Sequence, residues 1–266
     1  NRASVRFRRD LRPGVAGPTV TDWRRSAGPT VTDGRCSAGT LALVSAQRRR
    51  FDAVLFDLDG VLVNSEPWWN EARVEFALAH DRPWTPDDQA LCMGGNSREW
   101  AEIMQTRLRL PDVTVDAIQD AVVAGVVERY RANPAPIIAD APAQVRRIAR
   151  DWPVAIASSA HRHVITAAVD ALGLHEVMGA IVASDDVPLG KPAPDVYLLA
   201  AERLGVAPGR CLVVEDSVNG VRAGKAAGMT VVLVPNASVP PTGNARDLAD
   251  HIVGSLADLD PDALSR

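Results

Sequence analysis

The sequence predicts an α/β protein: a parallel sheet flanked by helices, with a helical insert after its first strand. Three observations predict this. Short apolar, β-rich runs alternate with helical stretches from residue 154 to 234, as when crossover helices join parallel strands. A lone strand-like run, Phe51-Asp52-Ala53-Val54-Leu55, stands ahead of a long stretch with helical character only. Asn133-Pro134-Ala135-Pro136 closes that stretch just before the alternation begins, and proline cannot continue a helix.

The first strand runs into Phe56-Asp57-Leu58-Asp59-Gly60-Val61. In extended chain, Asp57 and Asp59 point to opposite faces. A bend at Gly60 returns both to one cavity, because glycine tolerates the backbone angles of a sharp turn. One carboxylate is then placed to attack and the other to handle a proton, with Mg²⁺ on the oxygens. The plain alternative is an Asp-Gly turn between two strands, which the dipeptide alone favours.

The spacing changes to helical at Ser65. Ser65 suits a cap, Glu66 and Pro67 a first turn, and Trp69, Ala72, Val74, Phe76, Ala77 and Leu78 supply apolar surface. Residues 90–110 and 115–130 read as further helices, broken at Gly94-Gly95 and Pro111-Asp112. After the prolines come strands at 154–157, 180–183, 211–214 and 230–234. Helices at 163–172, 195–204 and 218–227 lie between them.

In parallel sheets of this kind, ligands sit beyond the carboxyl ends of the strands. The first strand ends in Asp57 and Asp59, the second in Ser158-Ser159, and the fourth in Glu215-Asp216. Gly190-Lys191-Pro192 follows the third. Each has a structural alternative: Ser158 as a helix cap, Lys191 as a solvated turn residue, Glu215 and Asp216 as complements to a helix dipole. All four together, in this order, are hard to explain as structure only.

Charge is uneven. Residues 1–50 carry eleven Arg and three Asp, net +8, while the remainder is acidic, net −12. An acidic body argues against nucleic acid as partner. Within the basic part, Ala16-Gly17-Pro18-Thr19-Val20-Thr21-Asp22-Trp23-Arg24-Arg25-Ser26 is followed at once by a copy identical at nine of eleven positions. Two copies are too few for a solenoid. We expect residues 1–50 to be a disordered basic tail, or sequence upstream of the natural start, rather than a tether to an anionic surface. Leu41-Ala42-Leu43-Val44-Ser45-Ala46 is too short an apolar run for a secretion signal, and no run reaches the ~18 residues of a membrane span. Cys36, Cys92 and Cys211 are an odd count without metal-like spacing, which fits a reducing cytoplasm.

The four motifs resemble those of the haloacid dehalogenase superfamily of phosphotransferases. The match covers about residues 51–235, with Lys191 in Gly-Lys-Pro-Ala-Pro-Asp as the third motif. The resemblance implies a Rossmann-like core from 51–63 and 137–266 with a helical cap from 64–136. It implies that Asp57 is the nucleophile, forming an aspartyl-phosphate, and that Asp59 is the acid and base. Ser158, with Ser159 beside it, and Lys191 then hold the phosphoryl group. Mg²⁺ is expected on Asp57, the Asp59 carbonyl and Asp216, with Glu215 close by or ligating.

Within the family, Asp59 separates the chain from dehalogenating members, which lack it. The chain has two lysines, Lys191 and Lys225, and none in 65–132, which closes the Schiff-base route of phosphonate-cleaving members. Arg98 in Gly95-Asn96-Ser97-Arg98-Glu99 resembles the arginine with which β-phosphoglucomutase holds its non-transferring phosphate. The histidine and lysine of that mutase are replaced here by Trp69 and Gly94. The expected function is therefore hydrolysis of a small phosphorylated metabolite, a sugar or sugar-alcohol phosphate; a mutase is the alternative, and a non-catalytic phosphate binder a weaker one. Arg98 is expected on a second anionic group of the substrate, or else paired with Glu99 or Glu102 in solvent. Trp68, Trp69, Trp84 and Trp100 fall in the cap, either as its core or as a wall against the substrate. Oligomeric state is not legible in the sequence.

Overall fold

The structure, a computed structural model, describes residues 49–265 apart from Gly94, Val239 and Thr242. The expectations for residues 1–48 and for Gly94 lie outside the described residues. Arg49 and Arg50, assigned to the tail from sequence, are hydrogen-bonded to the fold. Arg49 donates to the Asp151 carbonyl at 2.9 Å and Arg50 to the Leu264 carbonyl at 3.3 Å.

The first strand, β1 (Ala53–Phe56), is buried at every residue. It leads into four helices: α1 (Glu66–Ala79), α2 (Pro86–Cys92), α3 (Ser97–Leu108) and α4 (Val115–Ala132). Then come α5 (Ala141–Ile148), β2 (Val154–Ala157), α6 (Arg162–Leu172), β3 (Met178–Val182), α7 (Asp195–Leu204) and β4 (Cys211–Glu215). The chain finishes with α8 (Val218–Ala226), β5 (Thr230–Leu233), α9 (Ala245–Leu248) and β6 (His251–Ile252). The six strands form one parallel sheet in the order β3-β2-β1-β4-β5-β6. The chain leaves β1 toward β2 on one side and later toward β4 on the other, so β1 stands at the topological switch point.

Side chains alternate along β1, as strand geometry requires. Val54 and Phe56 join one core with Val145, Ile148, Val164 and Ile165 of α5 and α6. Ala53 and Leu55 join another with Tyr197, Ala200 and Val221 of α7 and α8. Two layers of helices thus bury the sheet, and only its carboxyl-end rim is left for polar groups.

The helical insert is built on side-chain caps. Thr85 and Asp88 close a reciprocal capping box on α2, and Asn96 and Glu99 close another on α3. Each cap contributes about 1 kcal/mol. Ser65 does not cap α1 as its sequence position suggests; it is fully buried and its hydroxyl is used elsewhere. The two linkers to the insert pair with each other. Asn64 donates to the Pro136 carbonyl at 2.8 Å, Ile138 to the Leu62 carbonyl at 3.0 Å, and Val63 bridges Ile137. This pairing supports a boundary at 64 and 136, which we propose as the limits of a cap.

Candidate active site

The site grows from the strand register. Phe56 pairs with Val214, so the next residues, Asp57 and Glu215, leave adjacent strands side by side. Lys191, from the loop between β3 and α7, reaches across to both. Its Nζ donates to Asp57 Oδ1 at 2.5 Å and to Glu215 Oε1 at 2.7 Å. The Tyr197 hydroxyl donates to that same Glu215 oxygen at 2.8 Å. Glu215 Oε2 accepts from the Asp216 N–H at 2.9 Å and from the Ser217 N–H and hydroxyl, each at 3.0 Å. Asp57, Lys191, Glu215 and Asp216 are all buried.

Burial pushes Asp57 up to about 8, with Lys191 working against it and Glu215 adding to it. Burial also pushes Asp216 up to about 9, helped by the charges of Glu215 and Asp57. Glu215 goes the other way: its burial is outweighed by Lys191 and by its hydrogen bonds, so its carboxyl lies below the ordinary range. Burial opposes the charge on Lys191, but Asp57 and Glu215 overcome it and hold the ammonium well above the usual lysine value. One cation therefore serves a crowd of carboxylates.

Two glycines make this crowding sterically possible. Gly60 has φ +92°, and a Cβ there would lie 2.0 Å from Asp216 Oδ2. A Cβ on Gly220 would lie 1.6 Å from Glu215 Oε1. Gly60→Ala combines left-handed backbone strain with this clash, and is expected to cost about 1–3 kcal/mol and displace Asp216. Thermal denaturation checks this; an unchanged Tm would refute it.

Asp57, Glu215 and Asp216 each offer a carboxylate oxygen within 4.8 Å of the others. An all-oxygen set of buried carboxylates, two of them forced toward protonation, fits a hard divalent cation such as Mg²⁺. The side chain of Asp59 is not in this cluster. It turns toward the insert, accepts from the Ser65 hydroxyl, and is raised by burial. Ser158 is buried and its hydroxyl accepts from the Ala160 N–H at 3.1 Å, holding the turn after β2.

Next to Asp59 lies a cavity of about 70 Å³, lined by Glu66, Trp69, Arg73, Cys92, Trp100 and Ser159 among others. Trp69 and Trp100 meet edge to face, with centroids 5.8 Å apart. Trp69 thus packs in the insert's core and also lines this cavity. Burial, followed by the Asp59 charge, pushes Glu66 up to about 7.

Arg98 is not brought to this cavity. Its side chain is 68% exposed and pairs with Glu102 at 3.1 Å and Asp116 at 3.7 Å. The reason is local: Asn96 caps α3, so Arg98 sits in the first turn with Glu102 four residues on, along the outer face. His161 caps α6 and Arg162 pairs with Asp186.

The sequence reading missed Ser65, Glu66, Arg73 and Tyr197. A signal for Arg73 existed. Residues 66, 69 and 73 share a helix face at i, i+3 and i+7, which puts a charge on an otherwise apolar stripe.

A parallel sheet with buried polar groups gathered at its switch point, under a helical insert, is the architecture of an α/β enzyme. The model of the haloacid dehalogenase-like hydrolases matches residues 51–228. A fructose-1-phosphate phosphatase of Escherichia coli is 31% identical over 197 residues, covering 69% of this chain and 96% of that one. A bifunctional riboflavin kinase/FMN phosphatase of Arabidopsis thaliana is 31% identical over 224 residues; these are 82% of this chain and 57% of that protein. A crystal structure of CbbY from Rhodobacter sphaeroides, in complex with phosphate, superposes with a TM-score of 0.66 at 28% identity. It covers 79% of this chain and 96% of that one. The chain belongs to the haloacid dehalogenase-like hydrolases.

Proposed function

We propose that the chain is a Mg²⁺-dependent phosphatase that hydrolyses a small sugar or sugar-alcohol phosphate through an aspartyl-phosphate on Asp57. The observation that carries this is the convergence of Asp57, Lys191, Glu215 and Asp216 on one rim, with Asp59 beside a small cavity. The similarity to a fructose-1-phosphate phosphatase supports the substrate class. Arg98, on which a mutase reading rests, is paired in solvent, which favours hydrolysis. The buried, free Cys92 and Cys211 are consistent with a reducing cytoplasm, and no helix among the described residues is long and apolar enough to cross a membrane.

In the first step an Asp57 oxygen attacks phosphorus, the ester P–O bond breaks, and the leaving alkoxide takes a proton from Asp59. Burial, which raises Asp59, favours the protonated form this donation needs. In the second step Asp59 takes a proton from water, which attacks phosphorus and releases Asp57. Lys191, fixed by Asp57 and Glu215, offsets charge on the phosphoryl oxygens. Asp57, Glu215, Asp216 and the Asp59 carbonyl would hold Mg²⁺, which when bound supplies the positive charge that draws anionic nucleophile and phosphate together. Ser158 and Ser159, on the turn after β2, are the residues proposed to donate to the phosphoryl oxygens.

The test is phosphate release from p-nitrophenyl phosphate and a panel of sugar and polyol monophosphates, with Mg²⁺ and after chelation. Release that depends on the metal is expected; no release from any of them overturns the reading. Asp59→Asn is expected to lower kcat on alkyl phosphates by about 10²–10⁴-fold. With p-nitrophenyl phosphate, whose leaving group needs no proton, this variant should still give a burst of p-nitrophenol before stalling. Equal losses on both substrates without a burst would remove Asp59 from the acid role.

A further inference from the structure

Arg73 is a long cation almost sealed inside the insert. It is 4% exposed. Its Nη1 donates to Gln89 Oε1 at 3.2 Å, and the guanidinium lies 5.4 Å from the Trp69 ring centroid and 5.3 Å from that of Trp100. These contacts fix its plane but leave its Nε–H buried without a partner. Glu66, which lines the same cavity, also has its Oε2 buried without a partner. A buried donor or acceptor left unmade costs about 1–3 kcal/mol, so an orphan of each kind on residues lining one cavity points to a polar occupant, a ligand group or the water it displaces.

The cavity they line also contains Asp59, the proposed proton donor to the leaving group. On that role for Asp59, the part of the substrate that enters it is the part attached to the ester oxygen. A hydroxyl satisfies both orphans at once, donating to Glu66 and accepting from Arg73. A second phosphate would accept from Arg73 but meet the carboxyls of Glu66 and Asp59. The volume of about 70 Å³ equals only a few water molecules, which suits a leaving group of few carbons.

We propose that Arg73 is the specificity-determining residue of the leaving-group pocket, donating its Nε–H to a hydroxyl of a short polyol or sugar monophosphate. This rests on the phosphatase reading above. It replaces the exposed Arg98 with a buried arginine on another helix, and a second anion on the substrate with an uncharged oxygen.

The experiment compares wild type, Arg73→Lys and Arg73→Met on glycerol phosphates, on fructose 1,6-bisphosphate and on p-nitrophenyl phosphate, which carries no hydroxyl. Arg73→Lys keeps charge and length but loses the Nε–H, which covers the case in which Arg73→Met does not fold. Each variant should lose about 30-fold more kcat/KM on the polyol phosphate than on the aryl phosphate. Inhibition of wild type by free glycerol, lost in Arg73→Lys, is the expected companion result. Equal losses on both substrates would overturn the proposal and reduce Arg73 to packing. A preference for the bisphosphate that depends on Arg73 would overturn it too, by showing a second anion in the pocket. Wild type releasing no phosphate from any substrate would instead sink the phosphatase reading beneath it.

Discussion

Asp57→Asn is expected to abolish turnover, lowering kcat by at least ~10⁴-fold, because an amide oxygen cannot act as the carboxylate nucleophile. No acyl-phosphate should be trapped by acid quenching during turnover. The fold, by contrast, should not suffer. Asp57 is raised to about 8 first of all by burial, so the folded state disfavours its charge. A carboxyl raised on folding destabilises the protein once pH passes its unfolded value, and the effect grows toward the folded value. Asn carries no charge at any pH and still accepts from Lys191. In metal-free buffer near pH 9, the variant should therefore melt at or above the wild-type temperature. Wild-type kcat in this variant would refute the assignment of the nucleophile. A lower Tm at pH 9 would refute the electrostatic account of its burial.

Lys191→Ala is expected to have the largest effect on stability. It removes the one ammonium that faces Asp57 and Glu215 at 2.5 and 2.7 Å. Breaking a buried ion pair by deleting one partner costs about 3–5 kcal/mol, since the other charge stays buried and unmatched. For a domain of this size that corresponds to a Tm lower by roughly 6–20 °C. The sign with pH follows from Glu215, which lies below the ordinary carboxylate value, mainly because Lys191 outweighs its burial. That contribution is present above the unfolded carboxylate value and is lost as pH falls through the folded one. The gap between wild type and variant should therefore narrow in acid, where Glu215 takes up a proton. Mg²⁺ should restore part of the lost Tm, because the remaining carboxylates are the proposed metal ligands. An unchanged Tm in chelator at pH 7 would show that the Lys191 pairs contribute no net stability. Turnover should also fall, by about 10²–10³-fold, as when one donor to a developing oxyanion is removed.

The elements that the sequence displayed were those with strong periodicity. The strands at 154–157 and 211–214 and the helix at 195–204 are uniform enough in pattern to be placed within a residue of their observed limits. The short helix α5 and the two-residue strand β6 went unread. One is eight residues long with a proline in its first turn, and the other is too short to show alternation. Within the site, legibility followed position. Asp57, Glu215 and Asp216 lie at or just beyond strand ends, and Lys191 on the loop from β3 to α7, on the side where a parallel sheet must collect its polar groups.

By itself, then, the sequence determined the parallel α/β class, the helical insert and the acidic rim with its single lysine. Strand patterning and strand-end chemistry are local properties, and a parallel sheet leaves little choice about where strand ends meet. Only the tertiary structure decided which arginine lines the cavity beside Asp59. Arg73 lies midway along α1 and Arg98 in the first turn of α3, both in the same insert, and helical spacing says which residues share a face without saying what that face meets. The rotation of α1 over the rim turns Arg73, Trp69 and Glu66 inward, and takes the Ser65 hydroxyl from a helix cap to Asp59. The cap on α3 turns Arg98 toward Glu102 and Asp116. Tyr197 is a similar case: its hydroxyl finds Glu215 only because α7 packs across β3, β2 and β1 of the sheet. Those choices depend on how helices pack, a non-local outcome of burial that sequence spacing does not encode.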